Sequence, residues 1–104
     1  MVRHIVLCRF RDDVDAAARQ ALYDRLAVLC DELPNALAFA AGANVSPEGL
    51  GQGCDEGFVI DFVDADARDA YLEDETHRAI GADLVAMLDG GRDGGLIVFD
   101  LETR

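Results

Sequence analysis

The chain contains no lysine and no tryptophan, only two histidines, and three cysteines with no recurring spacing. Each shortage excludes a class of function. All nine basic residues are arginine, set against 21 acidic ones, for a net charge of −12. Nucleic acids and anionic membranes both select a basic surface, so neither is expected as a partner. An odd cysteine count rules out a complete disulfide framework, and Cys8, Cys30 and Cys54 lack metal-ligand spacing. They read as reduced thiols of a cytoplasmic protein, with Cys8 and Cys30 as small core residues and Cys54 in an exposed loop. Long hydrophobic runs are also missing. Ile5-Val6-Leu7-Cys8 is far too short to span a membrane, and Arg3 and His4 arrive too early for a secretory signal. No glycine cluster precedes a helix or carries Gly-Lys-Ser/Thr, so neither a phosphate loop nor a dinucleotide fingerprint is present.

What remains is a folded single domain over residues 1–104. The composition is 51% hydrophobic and 29% charged, and a chain of this length buries about two-thirds of its unfolded surface. Val2 to Phe10 alternates as a strand, with Val2, His4, Val6, Cys8 and Phe10 on one face and Arg3, Ile5, Leu7 and Arg9 on the other. Both faces have apolar centres, so both need a cover. The acidic turn Asp12–Asp15 opens a helix from Ala16 to Leu33, with Leu22, Leu26, Leu29 and Leu33 as its stripe and Pro34 as its stop. A small-residue strand follows over Leu37–Val45. A glycine-rich loop spans Ser46–Gly57, and a third strand, Phe58–Val63, sets Phe58, Ile60 and Phe62 on one face and Val59, Asp61 and Val63 on the other. Asp64 starts a second helix that breaks once and ends near Leu88. Asp89–Gly95 reads as a flexible turn before a last strand at Leu96–Leu101. The order β-α-β-β-α-β predicts a ferredoxin-like α+β fold: a four-stranded antiparallel sheet with two helices on one face. The bare apolar face predicts a homodimer closing sheet on sheet.

The stretch with the most chemistry is Ala70–His77. Ile80, Leu84, Met87 and Leu88 follow His77 at helical spacing, so His77 begins a buried stripe. Asp74 is placed to cap that helix, and Tyr71 closes the segment before it. A break between them points both side chains into one space. Tyr71 and His77 are therefore candidate acid–base groups, weighed against ordinary core packing.

These residues, taken together, resemble the stress-responsive A/B barrel family of dimeric α+β barrels. The likeness is carried by Arg3-His4-Ile5-Val6-Leu7, Gly42–Leu50, Gly57–Phe62, Ala70-Tyr71-Leu72 with His77, and Ile97-Val98-Phe99-Asp100. It implies a homodimeric α/β barrel with helices outside. One branch of the family is similar to olivetolic acid cyclase, which closes a polyketide ring without metal or cofactor. That branch implies His77 as general base, Tyr71 as its assistant and His4 as a pocket residue. Glu56, Val6, Cys8, Phe58, Ile80 and Leu84 are then the candidate pocket lining, and a small apolar or polyketide-like molecule the ligand. Two departures stand out. The branch's His-Pro-x-His is Asp74-Glu75-Thr76-His77 here, and its histidine before the third strand is Glu56, a carboxylate that either orients a nearby imidazole or is simply solvated. Three functions follow as expectations: a metal- and cofactor-independent cyclase- or isomerase-type enzyme, a non-catalytic stress-protective dimer, or a cofactor-free monooxygenase-like protein.

Overall fold

A computed structural model describes residues 1–103. Its backbone follows from the alternation in the strands. In β1 (Val2–Cys8) the even-numbered residues are buried and the odd-numbered ones partly or fully exposed. β3 (Glu56–Phe62) repeats the pattern, with Phe58, Ile60 and Phe62 buried. The two pair antiparallel with His4 opposite Ile60 and Val6 opposite Phe58, so their buried sets share one face. β2 (Ala36–Ala43) flanks β3, and β4 (Leu96–Glu102) flanks β1, giving the order β2-β3-β1-β4. β2 starts at Ala36 and stops at Ala43, short of the expected Val45. Its register shifts between Ala36 and Ala38, which leaves Leu37 as a bulge.

Helices cover the even face of β1. α1 (Ala16–Glu32) begins at Asp15, whose side chain accepts the Ala18 N–H, and it buries Leu22, Tyr23, Leu26, Leu29 and Cys30. Leu33 lies just past its end and packs at the edge of the core. Those side chains join Val6, Cys8, Phe58, Ile60 and Phe62 in one apolar cluster. The second helix is two helices, α2 (Ala65–Glu73) and α3 (Glu75–Ala86), joined at Asp74 in extended conformation. Cys54 is buried rather than exposed, because Asn44 bonds the Cys54 carbonyl at 3.2 Å and folds the loop back onto the sheet end.

Asp89–Gly95 is not a flexible turn. It holds a fourth, five-residue helix, α4 (Gly91–Gly95). Gly90 enters it with φ 85°, a left-handed conformation that glycine adopts without penalty. Gly95 passes so near Leu88 that an added Cβ would lie 2.8 Å from the Leu88 side chain. The turn is pinned to the end of β1 by Arg9 N–H to Gly95 O and Asp89 N–H to Arg9 O, both 2.9 Å. Those bonds, not helix propensity, give this glycine-rich stretch its shape.

The odd face of the sheet has no helix. The register lines up Ala40, Val59, Ile5 and Phe99 across all four strands. Leu7, Ile97 and Leu101 share that face, and Arg3 with Asp61 forms an ion pair near one end, at 2.8 Å. Phe99 is 60% exposed.

Candidate functional site

Asp74 shapes the site first. Its carboxylate accepts the Thr76 and His77 N–H groups at 2.8 and 3.1 Å, which starts α3 immediately after α2 has stopped. Tyr71, on the last turn of α2, and His77, on the first turn of α3, therefore lie side by side with ring centroids 4.1 Å apart. Tyr71 is 1% exposed. It also contacts Phe62 at 5.2 Å and His4 at 5.8 Å, the latter edge-on. Three elements thus bring His4, Tyr71 and His77 into one cluster.

That cluster lines a cavity of about 660 Å³ between the β1–β4 side of the sheet and α2, α3 and α4. Val6, Phe58, Leu84 and Val98 form apolar wall, while Arg68, Arg78, Arg92 and Asp100 add charge. Of the pocket residues expected from sequence, His4, Tyr71, His77, Val6, Phe58 and Leu84 line this space. Glu56, Cys8 and Ile80 do not. Glu56 accepts the Tyr23 hydroxyl at 2.9 Å and faces Arg19 at 3.9 Å, at the far end of β3. Cys8 and Ile80 are core residues, and burial pushes the Cys8 thiol up to about 12.

The carboxylate that orients an imidazole is Asp100, not Glu56. His4 is 4% exposed, and its Nδ1 lies 2.6 Å from Asp100 Oδ1. A carboxylate only accepts, so His4 donates from Nδ1. Arg68 donates from Nη1 to Asp100 Oδ2 at 2.6 Å and from Nε to Asp69 at 2.9 Å. Burial pushes the Asp100 carboxyl up, but the bonds from Arg68 and His4 outweigh it and hold it below its ordinary range. Arg68 has no sequence signal of its own, and Asp100 enters the sequence reading only as the end of the Ile97–Asp100 stretch, with no role attached. Asp100 meets His4 only through strand register, 96 residues away.

The two helical residues have complementary electrostatics. Burial lowers the His77 pKa, the Leu72 carbonyl opposes that, and His4 lowers it further, for a net shift below the ordinary 6.5. His77 Nδ1 faces the Leu72 carbonyl at 3.4 Å. A carbonyl only accepts, so Nδ1 carries the proton and Nε2 offers a lone pair. Burial raises the Tyr71 phenol, helped by Cys30, and no hydrogen bond contributes among the described residues. At neutral pH the pair is an imidazole base beside a protonated phenol with its donor free. Among the described residues, no three His, Cys, Asp or Glu side chains are placed to hold a metal ion.

The lowered His77 value has a consequence for stability. Between the folded and unfolded pKa values the unfolded chain binds more protons, so stability rises with pH there. This contribution is complete above about 6.5 and is lost as pH falls toward the folded value. The urea midpoint is expected to drop between pH 7.5 and pH 5 in the parent protein, and to drop less in His77→Asn. Parallel pH profiles for the two would contradict the shift. The Asp100 contribution has the same sign but is lost only at lower pH, below about 4.

The topology and one-sided helical cover define a ferredoxin-like α+β protein. The chain belongs to the stress responsive A/B barrel domain family, whose model matches residues 2–103. A dimeric ferredoxin-like protein of unknown function from Jannaschia sp. CCS1 is 31% identical over 98% of both chains, with a TM-score of 0.90. A protein from Arabidopsis thaliana is 26% identical, with a TM-score of 0.88 over 100% of this chain and 96% of that one. Hydroxynitrile lyase from Passiflora edulis shares the fold at 13% identity, with a TM-score of 0.84 over 99% and 93% of the two chains. No curated protein matches the sequence. No described helix is long and apolar enough to cross a membrane.

Proposed function

We propose that the protein is a homodimer closed through its odd sheet faces, and that each subunit performs acid–base chemistry on a small carbonyl compound without metal or cofactor. The observation that carries this reading is convergence. His4, Tyr71 and His77 come from a strand and two helices, yet all three line one cavity large enough for a ligand. Dimeric relatives of the same fold support the assembly. Three free, buried cysteines fit a reducing cytoplasm.

In this reading His77 Nε2 removes a proton from the carbon next to a carbonyl. Tyr71 donates its hydrogen bond to the carbonyl oxygen as it becomes an enolate, and Asp100 holds His4 against the opposite side of the ligand. Where the enolate is conjugated with a C=C bond, it recovers the proton from the His77 imidazolium at the far carbon, an isomerisation; where it attacks a second carbonyl in the same molecule, the alkoxide so formed takes that proton, a cyclisation. Such groups contribute about 10²–10⁴-fold.

The test is exchange of the methyl protons of acetophenone in D₂O, followed by proton NMR. The protein is expected to accelerate it. His77→Asn is expected to lose about 10²-fold of that acceleration and Tyr71→Phe about tenfold, both with unchanged circular dichroism. Exchange that is no faster with the parent protein than with His77→Asn would overturn the catalytic reading.

A further inference from the structure

The distribution of arginines around this cavity is uneven in an informative way. Arg104 aside, the chain has eight arginines. Six of them face a carboxylate: Arg3 with Asp61, Arg9 with Asp89, Arg11 with Asp13, Arg19 with Glu56, Arg25 with Asp83, and Arg68 with Asp69 and Asp100. That is expected where acidic residues outnumber basic ones by 21 to 9. Arg78 and Arg92 have no such partner among the described residues, and both line the His4–Tyr71–His77 cavity.

They come from separate elements. Arg78 follows His77 on the first turn of α3, where the Asp74 carboxylate accepts the Thr76 and His77 N–H groups through Oδ1 and forms no ion pair with Arg78. Arg92 lies on α4, which the Gly90 turn and the bonds to Arg9 fix against the end of β1. Two separate elements thus contribute two exposed arginines to the lining of one largely apolar space, in a chain that otherwise repels anions. A guanidinium fork matches a planar carboxylate in two parallel hydrogen bonds.

We propose that the cavity takes a carboxylate-bearing small molecule, its apolar body against Val6, Phe58, Leu84 and Val98 and its carboxylate at the rim between Arg78 and Arg92. This rests on the reading of the cavity as a ligand site and names the substrate class that site selects. A singly charged carboxylate fits better than a phosphate dianion. Arg68 pairs with both Asp69 and Asp100 on the same lining, so the repulsion that grows with ligand charge is that of the chain as a whole, at a net −12. The arginines thus confer specificity and do not take part in proton transfer.

The experiment is a matched NMR titration at pH 7.5 with octanoate, octanamide and octyl phosphate, following the His77 imidazole signals and the backbone amides around them. Octanoate is expected to bind about tenfold more tightly than octanamide, the scale of two solvent-screened ion pairs. In the double variant Arg78→Gln, Arg92→Gln that ratio is expected to fall to about one, while octanamide binds as before and thermal unfolding is unchanged. Added salt is expected to narrow the ratio in the parent protein only. Equal binding of octanoate and octanamide by the parent protein would overturn the proposal while leaving the cavity as a ligand site. So would an octanoate preference that survives the double variant, or octyl phosphate binding more tightly than octanoate. If no ligand moves the His77 signals, the ligand-site reading falls too.

Discussion

Phe62→Ala is expected to lower the stability of the protein by about 3–5 kcal/mol. Phe62 is 1% exposed, opposite Val2 on β1 and Ala36 on β2, and it packs on Tyr71 with centroids 5.2 Å apart and on His4 at 6.3 Å. Its removal deletes the apolar surface of the ring and leaves a cavity under α2, which the rigid strands on either side cannot collapse to fill. Against a total stability of about 5–15 kcal/mol, that is a large share. Urea unfolding at fixed protein concentration measures it as a lower midpoint with an unchanged slope. The same ring supports the site from behind, so the surviving folded fraction is expected to show broadened Tyr71 and His77 signals. A loss below about 1 kcal/mol would mean that this aromatic layer is not close-packed.

The sequence was most readable where one local rule decided the outcome. Alternation alone sorted the residues of β1 and β3 into their two faces, because strand side chains have a strict period of two, and the helices then decided which face is buried. Asp15, Asp64 and Asp74 marked three helix starts, since a carboxylate there satisfies free N–H groups. The break at Asp74 followed from the same rule, and with it the meeting of Tyr71 and His77. Legibility ended where tertiary contacts decided. Asp100 looks like any exposed strand residue until β4 pairs with β1 and sets it against His4. Glu56 stands near a family position for a histidine, yet Tyr23, 33 residues away, claims its carboxylate. Gly90-Gly91-Arg92-Asp93-Gly94-Gly95 has poor helix propensity, so only its anchoring to Arg9 reveals α4. Arg78 and Arg92 became notable only once the partners of the other arginines were known.

The exposed sheet face leads to the second large effect. Phe99→Asp is expected to convert the protein from dimer to monomer, weakening association by about 10³-fold or more. Phe99 lies in the apolar row Ala40, Val59, Ile5, Phe99, with Leu7 and Ile97 beside it. In the proposed dimer, sheet-on-sheet closure about a two-fold axis would set this row against its own copy, so that one substitution enters the interface twice. Each new carboxylate loses water without gaining a partner, and an unpaired buried charge costs several kcal/mol. At about 1.4 kcal/mol per tenfold, two such penalties account for the expected loss. The fold itself does not depend on this ring, which is 60% exposed in the isolated chain. Circular dichroism of the variant is therefore expected to match the parent, while sedimentation velocity shows half the mass. Arg3 and Asp61, already paired at 2.8 Å on the same face, serve as the internal contrast. Replacing both with Ala removes charge from this face and is expected to leave the dimer intact. If Phe99→Asp sediments as the parent does, the bare face is not the interface, and the dimer must close through another surface.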